Sequence, residues 1–410
     1  MSTLFVHVGQ CGNQVSQHLW GCIQKDAEVI KSRSFVTVEG FNRAVHVDGE
    51  SKVIKRLSSV MKIREKNVIT GKRGRGNNWS LGYHGLHVSG DDCLLEETLE
   101  SIRREVERCD MFSGFLLTHS LSGGTGSGFG SHLCEALRDK YPVNYLMSVA
   151  IGPCASGESP LQHYNSVLCL AALQRTVDGI ILIQNDDILD KLHKKSPDCQ
   201  VSFEAVNKVI AHTIAGLVLP TDSLTTSRNI NLGQEPWELL KIACPMPATK
   251  FLQATHLAKS KLSWEGLVTK VLHATPRYSH MGKPFSSLAS VLTARGDTTG
   301  SFHKSLKLGL DKRIRSALNF VDWNPFPIDV WTAFVNTTGP KDTSSITMAL
   351  NSSCVTQYFD AICQRAELMV RARAYLHWYE RYGTFQEDIE EAMRVVHTCQ
   401  DNYNEAIKQS

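Results

Sequence analysis

The residues best suited to chemistry are Ser122-Gly123-Gly124-Thr125-Gly126-Ser127-Gly128, a run almost without side-chain bulk. An apolar stretch, Phe115 to His119, precedes it, and a helical pattern with Leu133, Ala136 and Leu137 on one side follows. A strand-to-helix turn of this composition can wrap an anion in backbone N–H groups, helped by the positive end of the next helix. No Lys follows the glycines, as a Walker A loop requires, and G-x-G-x-x-G cannot be threaded through them. The chemistry expected is a phosphate cradle; the plain alternative is a flexible Gly/Ser turn.

Other polar stretches follow predicted strands. Leu4 to Val8 reads as a buried strand running into Gly9-Gln10-Cys11-Gly12-Asn13-Gln14, either a ligand loop or an ordinary turn, and then a helix through Trp20. Ala44 to Val47 ends in Asp48-Gly49-Glu50, whose carboxylates could hold hydrated Mg2+ or could cap and open a helix at Val53-Ile54. Gly74-Arg75-Gly76-Asn77-Asn78-Trp79 is a second candidate phosphate contact, with Arg75 adding charge. It precedes an amphipathic helix with Leu95, Leu99, Ile102 and Val106 in register.

These loops must be positioned by strands alternating with helices. Strands are expected at 145–151 and 180–183, and helices at 164–177 and 202–218, giving a mostly parallel sheet with ligands at the carboxyl ends of its strands. Asn185 ends one strand, while Asn207 and Phe203 share a helix face. A carboxamide suits the guanine edge and a ring can stack on a base, although a cap and a core Phe are the ordinary roles of such residues. From about Pro220 the pattern changes: a polar stretch over 223–231, a short helix over 237–243, and then a mixed α/β region. That region carries strands at 285–294, 329–335 and 345–350 and helices at 264–273 and 302–318. From Val355 two long helical segments suggest an antiparallel hairpin.

Composition is that of a globular protein, 42% hydrophobic and 21% charged. A net charge of +3 is too small to argue for nucleic acid or an anionic membrane as partner, and neither is expected. Twelve Cys without a C-x-x-C pair indicate neither a zinc site nor a redox motif. The opening Met1-Ser2-Thr3-Leu4-Phe5-Val6 lacks the pattern of a secretory leader, so a reducing cytoplasm is expected.

Taken in order, Gly9 to Gln14, Gly76-Asn77-Asn78-Trp79, Ser122 to Gly128 and Tyr375-Leu376-His377-Trp378-Tyr379 resemble the tubulin superfamily along nearly the whole chain, and its divergent zeta and delta types more than α or β. The resemblance implies an α/β fold in three parts: a Rossmann-like GTP-binding domain over 1–219 including the core helix 202–218, an intermediate α/β domain over 220–353, and a C-terminal helical hairpin over 354–410. It implies that Gly9, Gln10, Cys11, Asn77, Gly123, Gly124, Thr125, Gly126 and Ser127 contact the phosphates of GTP or GDP, with Asp48 and Glu50 near Mg2+. Asn185 and Asn207 would read guanine, Phe203 would stack where the family usually has Tyr, and Gln162 would meet the ribose where α and β types carry Glu.

Glu238, in Gly233-Gln234-Glu235-Pro236-Trp237-Glu238, falls where α-type subunits keep the acid that orients water in a neighbour's site. Here Gly233 replaces the usual Asn and Pro236 stiffens the loop. The chain is shorter than the family between Gly12 and Val47, and it ends in Asn404 to Ser410 without the acidic tail that serves motors. The implied setting is the cytoplasmic cytoskeleton at centrioles, basal bodies or cilia, with tubulin-family subunits joined end to end and centriolar or basal-body proteins as partners. GTP hydrolysis would be completed across the longitudinal contact. Two other readings are a tubulin-fold interaction protein with a static nucleotide, and a dinucleotide oxidoreductase, which lacks its fingerprint.

Overall fold

A computed structural model describes residues 2–30, 34–57, 61–85, 93–154, 159–195, 201–222, 224–225, 231–232, 235–260, 262–340 and 343–408. The chain starts with β1 (Ser2–Val8), α1 (Gly9–Ile30), β2 (Ala44–Asp48), α2 (Ser51–Leu57), β3 (Val68–Thr70), α3 (Trp79–His84), α4 (Leu94–Glu107) and β4 (Phe112–Ser120). A wide helical turn, Gly124–Phe129, leads into α5 (Gly130–Lys140), β5 (Tyr145–Gly152), α6 (Gln162–Thr176), β6 (Gly179–Gln184), α7 (Asn185–Lys195) and α8 (Phe203–Val218). Then come β7 (Leu224–Thr225), β8 (Asn231–Leu232), α9 (Trp237–Ala243), β9 (Phe251–Lys259), α10 (Trp264–Ala274), β10 (Ser287–Arg295), α11 (Ser301–Ser305) and α12 (Asp311–Leu318). The last elements are β11 (Ile328–Ala333), β12 (Ser344–Ser352), α13 (Val355–Arg371), α14 (Leu376–Glu380) and α15 (Gln386–Lys408).

The chain divides into two compact units. The first comprises Met1–Trp20, Arg33–Lys208 and Phe359–Thr398, and the second Gly21–Ser32, Val209–Tyr358 and Cys399–Ser410. In the first unit six strands run in the order β6-β5-β4-β1-β2-β3, every neighbouring pair parallel. Strands β1 and β2 are buried along their whole length, as expected of parallel strands covered on both faces. All their carboxyl ends therefore open on one edge, where the polar loops gather.

In the second unit four strands run in the order β11-β10-β12-β9. Only β10 and β11 are parallel there, while β12 is antiparallel to both its neighbours. Its core gathers Leu267, Val268 and Val271 of α10 with Phe302, Ile314 and Met348.

Several expectations are corrected. Gly9 to Gln14 is no loop but the opening of α1, which leaves β1 at Gly9 with φ +73°. The glycine run is itself helical from Gly124. Within the stretch 223–231, expected as loop, the described residues belong to the strand pair β7 and β8, while 223 and 226–230 lie outside the described residues. The helix expected over 302–318 is interrupted at Gly309, whose φ of +117° no helix accepts. The sequence pattern missed β9 altogether. In α4 the buried apolar residues are Leu94, Leu99 and Ile102, with Leu95 and Val106 only half-buried.

Candidate functional site

A cleft of about 760 Å³ opens along the carboxyl edge of the parallel sheet. Strand order arranges its lining. Asn185 follows β6, the glycine run follows β4, Gln10 and Cys11 follow β1, and Asp48 ends β2. Four strand spacings separate β6 from β2, about 19 Å at the usual interval. The cleft is thus an elongated slot, with carboxamides at one end, backbone in the middle and charge at the other.

Close approach explains the glycines of the middle section. A Cβ on Gly126 would stand 2.6 Å from Ser120 Oγ, and one on Gly124 would stand 2.5 Å from the Arg75 carbonyl oxygen. Any side chain there would push the glycine run off its neighbours. Behind the wall, Ser127 Oγ donates to the Gly123 carbonyl, and Ser131 Oγ donates to the Ser127 carbonyl at 2.7 Å. His119, fully buried, shares a hydrogen bond of 2.8 Å with Ser148, and burial pushes its pKa down to about 4.

The second loop is held by an unusual backbone. Gly76 and Asn77 both have positive φ, +54° and +51°, a conformation that costs a non-glycine residue free energy and concentrates at functional sites. Asn165 of α6 fixes this turn to the glycine run: its Nδ2 donates to the carbonyls of Asn77 and Ser122, both at 2.7 Å. Its Oδ1 accepts from the Trp79 N–H at 2.9 Å and from Tyr379 OH at 2.6 Å. Asn78 caps α3 by accepting from the Leu81 N–H, and its Nδ2 donates to the Trp378 carbonyl at 2.9 Å.

At the charged end Asp48 is buried while Glu50 is exposed. Burial pushes the Asp48 carboxyl up to about 6, against backbone N–H groups of Glu50 and Gly49 that lower it, with the Glu50 charge raising it further. A carboxylate so poorly solvated gains from a cation. Among the described residues no three His, Cys, Asp or Glu side chains gather to hold a metal by themselves. Two oxygen donors suit an ion that keeps waters and takes ligand oxygens, as Mg2+ does.

At the other end Asn185 Oδ1 is buried without a hydrogen-bond partner. Asn207 Nδ2 donates to Gln14 Oε1 at 3.4 Å, and Phe203, 56% exposed, opens α8 at the cleft wall. An exposed ring beside an unpaired carboxamide oxygen can take a planar, hydrogen-bonding group.

The cleft brings together Gln10, Cys11, Asp48, Glu50, Asn77, Gly123, Gly124, Thr125, Gly126, Gln162, Asn185, Phe203 and Asn207. Gly9 and Ser127 are not among its lining residues and support the wall from behind. Gln162, buried at the start of α6, donates to the Cys154 carbonyl at 3.3 Å. Glu238 does not line the cleft; it stands half-buried in the first turn of α9. Gly233 and Gln234 lie outside the described residues. Sequence reasoning missed Lys52 and Arg56, and it placed Gln14 in a candidate ligand loop without giving it a role. The two cations are four residues apart on a helix that starts just after the acidic turn, and that spacing was the available signal.

A strand-ordered slot with a glycine cradle defines a nucleotide-binding α/β class. Residues 2–193 match the Tubulin/FtsZ family, GTPase domain. The chain is 29% identical to the tubulin delta chain of Macaca fascicularis and to that of Homo sapiens, over 95% of this chain and 96% of each relative. It is 25% identical to the tubulin beta chain of Pyropia yezoensis, over 94% of this chain and 88% of the relative. The chain thus carries a Tubulin/FtsZ-type GTPase domain and is similar to tubulins along nearly its whole length, and its α/β architecture is the tubulin fold. Among the described residues no helix is long and apolar enough to cross a membrane.

Proposed function

We propose that the cleft holds GTP or GDP with its base at the Asn185 end and its phosphates under the glycine run, with Mg2+ at Asp48 and Glu50. The observation that carries this is the buried, unpartnered Asn185 Oδ1 in the wall of the slot. An orphaned buried acceptor costs about 1–3 kcal/mol, which a base N–H would offset. Asn207 offers a second carboxamide, Phe203 a face for stacking, and Gln162 an uncharged amide for the ribose. Backbone N–H groups of Gln10, Cys11 and Gly123 to Gly126, with Asn77 opposite, surround the phosphates. Bound Mg2+ would neutralise part of the phosphate charge. Asn185→Ala should weaken GTP binding about tenfold, with thermal stability close to wild type. Equal affinity of the wild-type protein for GTP and ATP would refute the guanine assignment.

On this reading the chain is a tubulin-type protein of centrioles, basal bodies or cilia in the cytoplasmic cytoskeleton, of the delta or zeta type. It joins itself or other tubulin-family subunits end to end and meets centriolar or basal-body proteins. Glu238 would then enter a neighbour's cleft and orient the attacking water, making the chain a slow GTPase active only in the assembled state. Gln162 in place of the usual Glu, with Gly233 and Pro236 in the loop before Glu238, favours a second reading, a static nucleotide in an interaction protein. Glu238→Ala separates them: GTP turnover of the assembled protein falls under the first and does not change under the second.

A further inference from the structure

The acidic turn of the cleft carries cations that the nucleotide reading leaves unused. Helix α2 buries Ile54 and Leu57 and turns Lys52, Val53 and Arg56 to the cleft. Residues 52 and 56 share one helical face because four residues make about one turn. The turn before them packs closely. A Cβ on Gly49 would stand 2.9 Å from the Arg73 carbonyl oxygen and 3.2 Å from Thr125 Oγ1, and one on Gly74 would stand 2.2 Å from Glu50 Oε1. The acidic turn, the 73–75 loop and Thr125 of the glycine run therefore converge at one end of the slot. Among the described lining residues, Lys52, Arg56 and Arg75 share the cleft with Asp48 and Glu50, three cations and two acids.

We infer that Lys52 and Arg56 form a cation pair, supplied by the same chain, that reads the terminal phosphate of a bound nucleoside triphosphate and makes the cleft prefer triphosphate to diphosphate even without a metal ion. The inference rests on the nucleotide reading above. Both side chains are exposed, so substituting them leaves the core intact. A guanidinium and an ammonium on one face meet phosphate oxygens by charge-assisted hydrogen bonds, which a diphosphate lacking the terminal group cannot use. Carboxylates alone would repel that group whenever the metal is absent.

The test is titration of the purified chain with GTP and with GDP in EDTA-containing buffer. Wild-type protein should bind GTP at least tenfold more tightly than GDP. Lys52→Ala with Arg56→Ala should bring the two affinities within about twofold, mainly by weakening GTP, and Lys52→Arg with Arg56→Lys should restore the preference. A double-alanine variant that keeps the wild-type ratio, or wild-type protein that binds both nucleotides without preference, overturns this inference and leaves the nucleotide reading standing. Wild-type protein that binds neither GTP nor GDP, with or without Mg2+, overturns both.

Discussion

Replacing Asn165 by Ala should damage stability and ligand binding together. Its side chain is fully buried and makes four hydrogen bonds, to the carbonyls of Asn77 and Ser122, the Trp79 N–H and Tyr379 OH. These use both amide hydrogens and both acceptor positions of the carboxamide. Truncation removes four hydrogen bonds, although Tyr379 OH keeps the Leu161 carbonyl as a partner at 3.4 Å; at about 1 kcal/mol each when water re-enters, and more where it does not, the loss is on the order of 3–5 kcal/mol. The same residue joins the two loops that flank the cradle, so GTP affinity should fall by at least about tenfold. Urea unfolding and nucleotide titration measure the two effects. Tyr379→Phe removes one of the four bonds and should cost about 1 kcal/mol. An Asn165→Ala protein with unchanged urea midpoint and unchanged GTP affinity would refute the role assigned to this residue.

Gly126→Ala should abolish nucleotide binding, because its Cβ would stand 2.6 Å from Ser120 Oγ and 3.0 Å from the Ser120 backbone nitrogen; equilibrium titration reads the loss. Phe203→Ala should weaken GTP about tenfold yet leave the unfolding free energy from urea titration within about 0.5 kcal/mol of wild type, since the ring is exposed. Stability should fall in acid. Burial holds the His119 pKa at about 4, below its ordinary 6.5, so the unfolded chain binds the extra proton first as pH drops. The contribution is complete above pH 6.5 and is lost as pH falls through about 4, amounting to roughly 3 kcal/mol. Urea unfolding between pH 7 and 4.5 should show a steeper decline for wild type than for His119→Asn.

Much of this architecture is legible in the sequence because the parallel strands of the first unit, such as Leu4 to Val8 and Ile180 to Ile183, are continuous apolar runs bounded by polar turns. Glycine was the source of two misreadings. Gly9 and the Ser122 to Gly128 run look like loops by composition, yet both enter helices, because close packing against Gly126 and Ser120 requires small residues whatever the secondary structure. Strand β9 escaped notice because Phe251 to Lys259 buries Phe251, Leu252 and Thr255 without a clean alternation. The carboxamide end of the cleft was ambiguous for another reason: Asn185, Phe203 and Asn207 gain meaning only when β6 and α8 face one slot. Lys52 and Arg56 were legible as an i, i+4 pair, but nothing local says that this face of α2 turns inward. Asn165 and Tyr379, 214 positions apart, could not have been joined by any short-range pattern.

A slot that holds a guanine nucleotide should carry one from the cell through purification. Denaturing the purified protein and analysing the released nucleotide by chromatography tests it most directly. GTP or GDP is expected, close to one per chain, with adenine nucleotides absent. Protein that releases no nucleotide and binds neither GTP nor GDP when supplied with Mg2+ would contradict it.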